Sequence, residues 1–380
     1  MARILFVRPD LNSTFAQRKE LINIGAKPII FLGLDYPKKL IFNSKEVIGK
    51  EFFKKSSGIF RIFNVLINFA EFLFYSFRSE YIIYYGSPPL IKSFDKFFNI
   101  KSFSLELHIL KKIFKKHIIF QPTGCLEEFL KKDFEKFDNG KICQNCGYYE
   151  LCNDQYNMKN FDLIKKYSEL NIGSGFFNSN QFKQHHFKYK SIDLELFSPS
   201  ISIPRKFLLK KFDGLTIYHS SFIKASGRDF NGKDIKGSKY IIKAIDKLIS
   251  EGFKIRKLIL NDIPMKDLRY YQVQSDIVVD QLIYGCYGST GIECMALGKP
   301  VITYINSELK KFFLKKFDEF DDLPIIEANP GNIYNVLKEL VEDPVKIKHI
   351  GFRSRKFVEK QYNPKINSKI LLDKLKYLKL

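Results

Sequence analysis

A chain of 380 residues, 45% apolar and without a low-complexity tract, is too long for one ordinary core and is expected to fold as two domains. Its net charge of +22 attracts polyanions, but a Lys-, Ile-, Phe- and Asn-rich, Trp-free composition is also what an AT-rich genome produces, so charge alone does not make it a nucleic-acid binder. The opening MARILFVRPDLN is too short an apolar run for a signal peptide, and no window of about 20 residues is apolar enough to span a bilayer, so the cytoplasm and reduced thiols are expected.

Along the chain, Ile4 to Val7 and Pro28 to Leu32 read as strands, with a helix over Ala16 to Gly25 between them. This βαβ opening suggests a Rossmann-like half, and the absence of G-x-G-x-x-G argues against a dinucleotide cofactor there. The loop Pro9-Asp10-Leu11-Asn12-Ser13 follows the first strand. Over Ile59 to Phe77 the polar positions Arg61, Asn64, Asn68, Glu71, Tyr75 and Arg78 alternate spacings of three and four, a single narrow stripe on a helix that is otherwise almost wholly apolar. Lys54, Lys55 and Arg78 flank it. It is either a core helix or one lying on the inner membrane. Tyr81 to Tyr85 and His117 to Phe120 are further strands, each followed by a turn, Gly86-Ser87-Pro88-Pro89 and Gln121-Pro122-Thr123-Gly124. His117, His185, His186 and His219 have no spacing that singles out a general base.

Cys143, Cys146 and Cys152, with Cys125 upstream, lie in or beside a charged stretch, Lys131 to Gln155, that has few apolar residues. Four thiolates can enclose one structural Zn²⁺, or an iron–sulfur cluster, and the irregular second spacing leaves plain thiols as the alternative.

The second half starts again as α/β. Leu215 to Tyr218 and Leu258 to Leu260 are strands around a helix over Lys239 to Glu251. Then comes Asp276 to Tyr304, DIVVDQLIYGCYGSTGIECMALGKPVITY. Ile277 to Val279 and Val301 to Thr303 have the β-branched character of buried parallel strands. Between them Gly285, Gly288 and Gly291 recur at every third residue, ahead of a helix over Thr290 to Leu297. Such a loop leaves amide N–H groups at the positive end of a helix, a place for phosphate, and Glu293 one turn inside is placed to accept from sugar hydroxyls. The bland alternative is a tight βα turn whose glycines serve packing. Asp280 and Gln281, at the strand end, are either ligand contacts or a strand-end cap. Helices over Gly331 to Leu340, Val345 to Gln361 and Ile366 to Leu378 complete the chain.

This half resembles the retaining glycosyltransferases of family 4 (glycosyl transferases group 1). Tyr287, Gly288, Glu293, Met295, Ala296, Gly298, Pro300 and Val301 fall in register with the family's signature of two glutamates separated by seven residues, but its first glutamate falls on Gly285. Lys236-Gly237 matches the family's K-G pair, and Ile192 to Pro199 its interdomain linker, (V/I)-D-x-x-x-F-x-P. The resemblance implies a GT-B fold, two Rossmann-like domains facing each other across a cleft: residues 1–195 for the acceptor, with a Cys-rich insert at about 125–155, residues 196–362 for the donor, and a C-terminal helix, 363–380, crossing back. It implies that Lys236 offsets the charge of a leaving diphosphate, with Arg228 as a second cation and Gly237 beside it, and that Glu293 holds the ribose. Asp280, Gln281, Tyr287, Gly288, Ser289, Thr290 and Gly291 would line the donor site, and Asn12, Ser13 and Thr123 the acceptor side. The partners implied are a nucleotide-diphosphate sugar and a glycan or lipid-linked acceptor of cell-envelope polysaccharide synthesis, without nucleic acid and without a cofactor needed for catalysis. The rivals are a catalytically inactive GT-B scaffold, a sugar-nucleotide epimerase, and a metal-stapled basic nucleic-acid binder, which would show strongly salt-dependent binding.

Overall fold

The computed structural model describes residues 1–380 apart from 35, 38–39, 42, 50–58, 91–102, 174–180, 221–232, 262, 309, 312–322 and 380. By its contacts the chain forms two compact units. One comprises Met1–Lys131, Asn153–Ser191 and Pro364–Leu380; the other comprises Lys132–Cys152 and Ile192–Asn363.

The first unit is built on six parallel strands: β1 (Arg3–Val7), β2 (Lys27–Phe31), β3 (Val47–Ile48), β4 (Tyr81–Tyr85), β5 (His117–Gln121) and β6 (Leu170–Asn171). Their order, β3-β2-β1-β4-β5-β6, is that of a Rossmann sheet. Successive side chains point to opposite faces, so a stretch of strand covered on both sides must be apolar, and Ile4 to Val7 of β1 and the whole of β4 are. Ile4, Phe6, Ile83 and Tyr85 pack on one face with Phe15 and Leu21 of α1 (Leu11–Asn23) and with Leu371, Leu372 and Leu375 of the C-terminal helix Pro364–Lys376. Leu5, Val7, Ile82 and Tyr84 pack on the other with Phe72 of α2 (Ile59–Arg78) and with Leu163 and Tyr167 of α3 (Asp154–Tyr167).

The second unit has five parallel strands, β7 (Leu215–Ser220), β8 (Ile255–Leu260), β9 (Ile277–Val279), β10 (Val301–Thr303) and β11 (Ile325–Glu327), in the order β11-β10-β9-β7-β8. Its helices are α4 (Ser238–Ser250), α5 (Met265–Gln272), α6 (Ser289–Ala296), α7 (Ile333–Val341) and α8 (Pro344–Gln361). In α4 the apolar residues Ile241, Ala244, Ile245 and Leu248 follow the helical repeat and are buried with Ile333, Leu337 and Leu340 of α7. Each such large aliphatic side chain contributes about 1.5–3 kcal/mol by burial. Arg355 of α8 ties the segment after Ile192 into this unit, donating to Phe197 O and Ala296 O, both at 2.7 Å, and to Leu194 O at 3.3 Å.

One expectation changes. Residues 132–152, expected with the first domain, belong to the second unit: Tyr304 Oη donates to Asp138 Oδ1 at 3.2 Å and Lys233 Nζ to Gln144 O at 2.8 Å. Among the described residues no three His, Cys, Asp or Glu side chains are placed to hold a metal ion, Cys143, Cys146 and Cys152 included. Cys143 lies in the short helix Lys141–Gln144 and Cys152 just after the 3-10 turn Tyr149–Leu151, and Phe134 and Ile142 of the same segment are buried. Cys125 opens a 3-10 turn in the other unit.

Candidate functional site

In the second sheet the chain leaves β7 toward β8 on one side and β9 toward β10 on the other. A crevice opens at the carboxyl ends of two such strands, and open α/β sheets bind their ligands there. Two loops bracket it: Lys236-Gly237, which opens α4, and the run from Asp280 to Gly288, which joins β9 to α6.

Lys236 is buried, with its Nζ donating to Ser220 O at 2.8 Å and lying 3.9 Å from Asp280 Oδ1. The backbone stitches the loops together, Leu282 N–H donating to Lys236 O at 2.9 Å. The other oxygen of Asp280 accepts Gly288 N–H at 2.7 Å, so this buried carboxylate sits between the ammonium and the positive end of α6. A Cβ on Gly291 would come within 3.1 Å of Asp280 Oδ2 and 3.2 Å of Tyr287 Cβ, so the glycine is what lets the carboxylate approach the helix. Ser289 and Thr290, half-buried, open α6 beside it.

Behind the lysine, His219 of β7 is fully buried. Its Nδ1 is 2.8 Å from Val279 O, an atom that only accepts, so Nδ1 carries the proton and Nε2 accepts from Ser238 Oγ at 2.8 Å. Burial, reinforced by the Lys236 charge, pushes its pKa down to about 4, so the ring is neutral. Asp234 accepts Ser238 N–H at 2.8 Å and Lys239 N–H at 2.9 Å, capping α4 and fixing the turn that carries Lys236. The sequence names His219 only as one of four histidines without a telling spacing, and it does not single out Ser238 or Asp234. The spacing Asp234-x-x-x-Ser238 ahead of an apolar repeat was the available cue for the cap.

Other predicted site residues serve the frame. Gln281 donates to Cys286 O, and its carbonyl accepts from Thr303 Oγ1 at 2.7 Å and Tyr304 N–H at 2.9 Å. Tyr287 is buried against Tyr362, with their hydroxyls 2.8 Å apart. Glu293 is buried on the inner face of α6 and accepts from Gln272 Nε2 at 3.3 Å. Gly285 has φ +89 and its Cβ position lies 3.1 Å from Asn306 Cβ and 3.9 Å from Ile142 Cδ1. A glutamate on this backbone would be strained and crowded. Arg228 lies outside the described residues.

The residues expected on the acceptor side lie in the first unit. Asn12 and Ser13 belong to α1, which starts at Leu11 and not at Ala16; Asn12 is buried, and Ser13 Oγ accepts Ser191 N–H at 3.0 Å. Thr123 is held by Glu127, whose Oε2 accepts its N–H at 2.6 Å and its hydroxyl at 3.0 Å. Glu127 Oε1 also accepts Ser87 N–H at 2.9 Å, joining the turns after β4 and β5.

No protein-family model and no curated protein matches the chain. Among solved structures it is similar over its whole length to sucrose-phosphate synthase from Thermosynechococcus elongatus, with a TM-score of 0.61 at 13% identity, covering 100% of this chain and 99% of that one. Anabaena HepE in complex with UDP gives 0.57 at 12%, covering 99% and 100%. A glycosyltransferase from Rickettsia africae ESF-5 gives 0.54 at 16%, covering 98% and 97%. The shared feature is the fold: two parallel sheets with flanking helices, the α/β architecture of GT-B proteins.

Proposed function

We propose that this chain is a glycosyltransferase of the retaining, family 4 type, which holds a nucleotide-diphosphate sugar at the β7/β9 switch point. One observation carries the reading: a buried lysine and the glycine loop that opens α6 meet at the place where such sheets bind ligands. The GT-B-like fold supports it, as does the UDP in the similar HepE structure. Lys236 is placed to offset charge on the leaving diphosphate, and Ser289 and Thr290 to meet its phosphate oxygens. In the front-face reaction proposed, the C1–O bond to the diphosphate breaks and the acceptor oxygen bonds C1 on the same face. The departing phosphate takes the hydroxyl proton, and no side chain acts as nucleophile. A glycan or lipid-linked acceptor of cell-envelope polysaccharide assembly, met on the cytoplasmic side, completes the proposal.

The test is nucleotide release from UDP-, GDP- and CMP-sugars by the purified protein with crude lipid and glycan acceptors. Turnover should fall by about 10²-fold or more in Lys236→Ala. Equal turnover in wild type and variant would overturn the assignment. Because Gly285 carries no side chain and Glu293 is buried, a nucleotide-binding scaffold without transfer is the second reading. Binding without turnover would select it.

A further inference from the structure

Helix α2 is turned the wrong way round for a helix facing water. The two asparagines of its polar stripe, Asn64 and Asn68, are buried, as is Ser76. Its large apolar residues face outward instead, with Phe77 63%, Ile62 60%, Phe74 53% and Leu66 and Phe63 48% exposed. Residues 62, 63, 66, 70, 74 and 77 follow the helical repeat, so these side chains form one stripe. The inner face is anchored by Phe72, with Phe69, Leu73 and Tyr75 packed around it in the sheet's core, so the helix is an integral part of the unit. Next to Phe72 on that face, Asn68 buries both amide atoms without a hydrogen-bond partner among the described residues. Five large apolar side chains on one stripe exceed the scattered exposure normal for a monomer's surface.

The surroundings of the stripe are cationic. Arg78 lies 5.3 Å from the centroid of the Phe74 ring. Lys116 Nζ lies 5.5 Å from the Phe77 centroid and donates to Phe77 O at 2.7 Å. Phe114 packs edge-on against Phe77 at 5.4 Å, and its sequence neighbours are the 64%-exposed Ile113 and the exposed Lys112 and Lys115. An outward aromatic and aliphatic stripe that carries no acidic residue and is bordered by cations, with the carboxylate beside Lys116, Glu80, paired to Arg3, complements one kind of partner: an anionic lipid surface. The rings would enter the boundary between headgroups and acyl chains, while Arg78, Lys112, Lys115 and Lys116 meet the headgroup phosphates. Among the described residues no helix is long and apolar enough to cross a membrane, which leaves α2 to lie on one.

We propose that the outer face of α2, with the 112–116 segment, docks the protein on an anionic bilayer. The assignment stands on this surface alone and is independent of the donor site.

The test is co-sedimentation of the full chain with vesicles of phosphatidylcholine alone and of phosphatidylcholine with 30% phosphatidylglycerol, at low and high salt. Wild type should bind the anionic vesicles and leave the neutral ones about tenfold or more less occupied, with binding falling as salt rises. Phe74→Ser with Phe77→Ser should weaken binding about tenfold or more, and so should Lys112→Glu with Lys115→Glu. These are exposed positions, so the melting temperature should stay near that of wild type, which separates lost docking from lost folding. No binding to either vesicle by folded wild type would overturn the proposal, as would binding that both variants retain. A wild-type dimer in light scattering that the serine variant dissolves, with no vesicle binding, would overturn it in favour of a second copy of the chain.

Discussion

Each unit has a switch point in its sheet, and the two are filled in opposite ways. In the first, the gap between the ends of β1 and β4 is closed by Arg8, whose guanidinium donates to Ser87 O at 3.2 Å and Leu90 O at 2.9 Å. Arg8 itself sits at φ +57, a strain of about 1 kcal/mol or more that these bonds offset. In the second, the gap between β7 and β9 is bordered by Lys236, Asp280 and the amide-lined start of α6. A guanidinium spent on two backbone carbonyls is a structural plug. An ammonium beside a carboxylate and a helix start is a pair that an incoming diphosphate can rearrange. Folds of the same class thus give one switch point to stability and the other, as proposed above, to the donor.

Substitutions can break this contrast. The largest stability loss is expected for Asp280→Ala, which leaves Lys236 buried beside an emptied pocket and Gly288 N–H without its acceptor. Urea unfolding should show a loss of about 3 kcal/mol. A loss near zero would mean that Asp280 does not order the loop.

Next comes the acid limb of stability. His219 drops from an ordinary 6.5 to about 4 in the folded chain. An unfolded chain therefore takes up this proton more readily, and the stabilisation is present above about pH 6.5 and lost as pH falls toward 4. The difference corresponds to ~3 kcal/mol at most. His219→Gln should flatten stability between pH 6.5 and 4 relative to wild type, and an unchanged slope would remove His219 as its source. Smaller still is Arg8→Ala, expected to lose about 2 kcal/mol as Ser87 O and Leu90 O lose charged donors. Nucleotide response should not change in this variant.

The parts of the fold readable in the sequence were those with an unmixed period. Ile277–Val279, Val301–Thr303 and Tyr81–Tyr85 are continuous β-branched or aromatic runs and emerged with the bounds expected. The two-residue strands β3 and β6 have no period to read. Helix α3 has no counterpart among the elements read from the sequence, since the cysteine-bearing charged stretch ends at Gln155, although Asn153 caps the helix by accepting Gln155 N–H and Tyr156 N–H. For α2 the spacing disclosed a single polar stripe but not which side faces the core, because a stripe of asparagines can be buried when the sheet already holds Phe72 on the same side.

The candidate site was legible as a loop and not as a network. Glycine spacing and Lys236-Gly237 stand in the sequence. What joins them is Asp280, 44 positions after Lys236 and reached only through sheet pairing. The departure at Gly285 also has a structural reason: with φ +89 and Asn306 and Ile142 beside it, the backbone has taken a form that suits no side chain. Ile142 comes from a segment more than a hundred residues upstream, and no local pattern announces it.

The measurement that most directly tests which switch point holds the donor is a thermal shift of wild type, Lys236→Ala and Arg8→Ala with UDP, GDP and CMP. One nucleoside diphosphate is expected to raise the melting temperature of wild type and of Arg8→Ala by the same increment, and to leave Lys236→Ala unmoved. A full shift retained in Lys236→Ala, or no shift with any nucleotide in folded wild type, would contradict this.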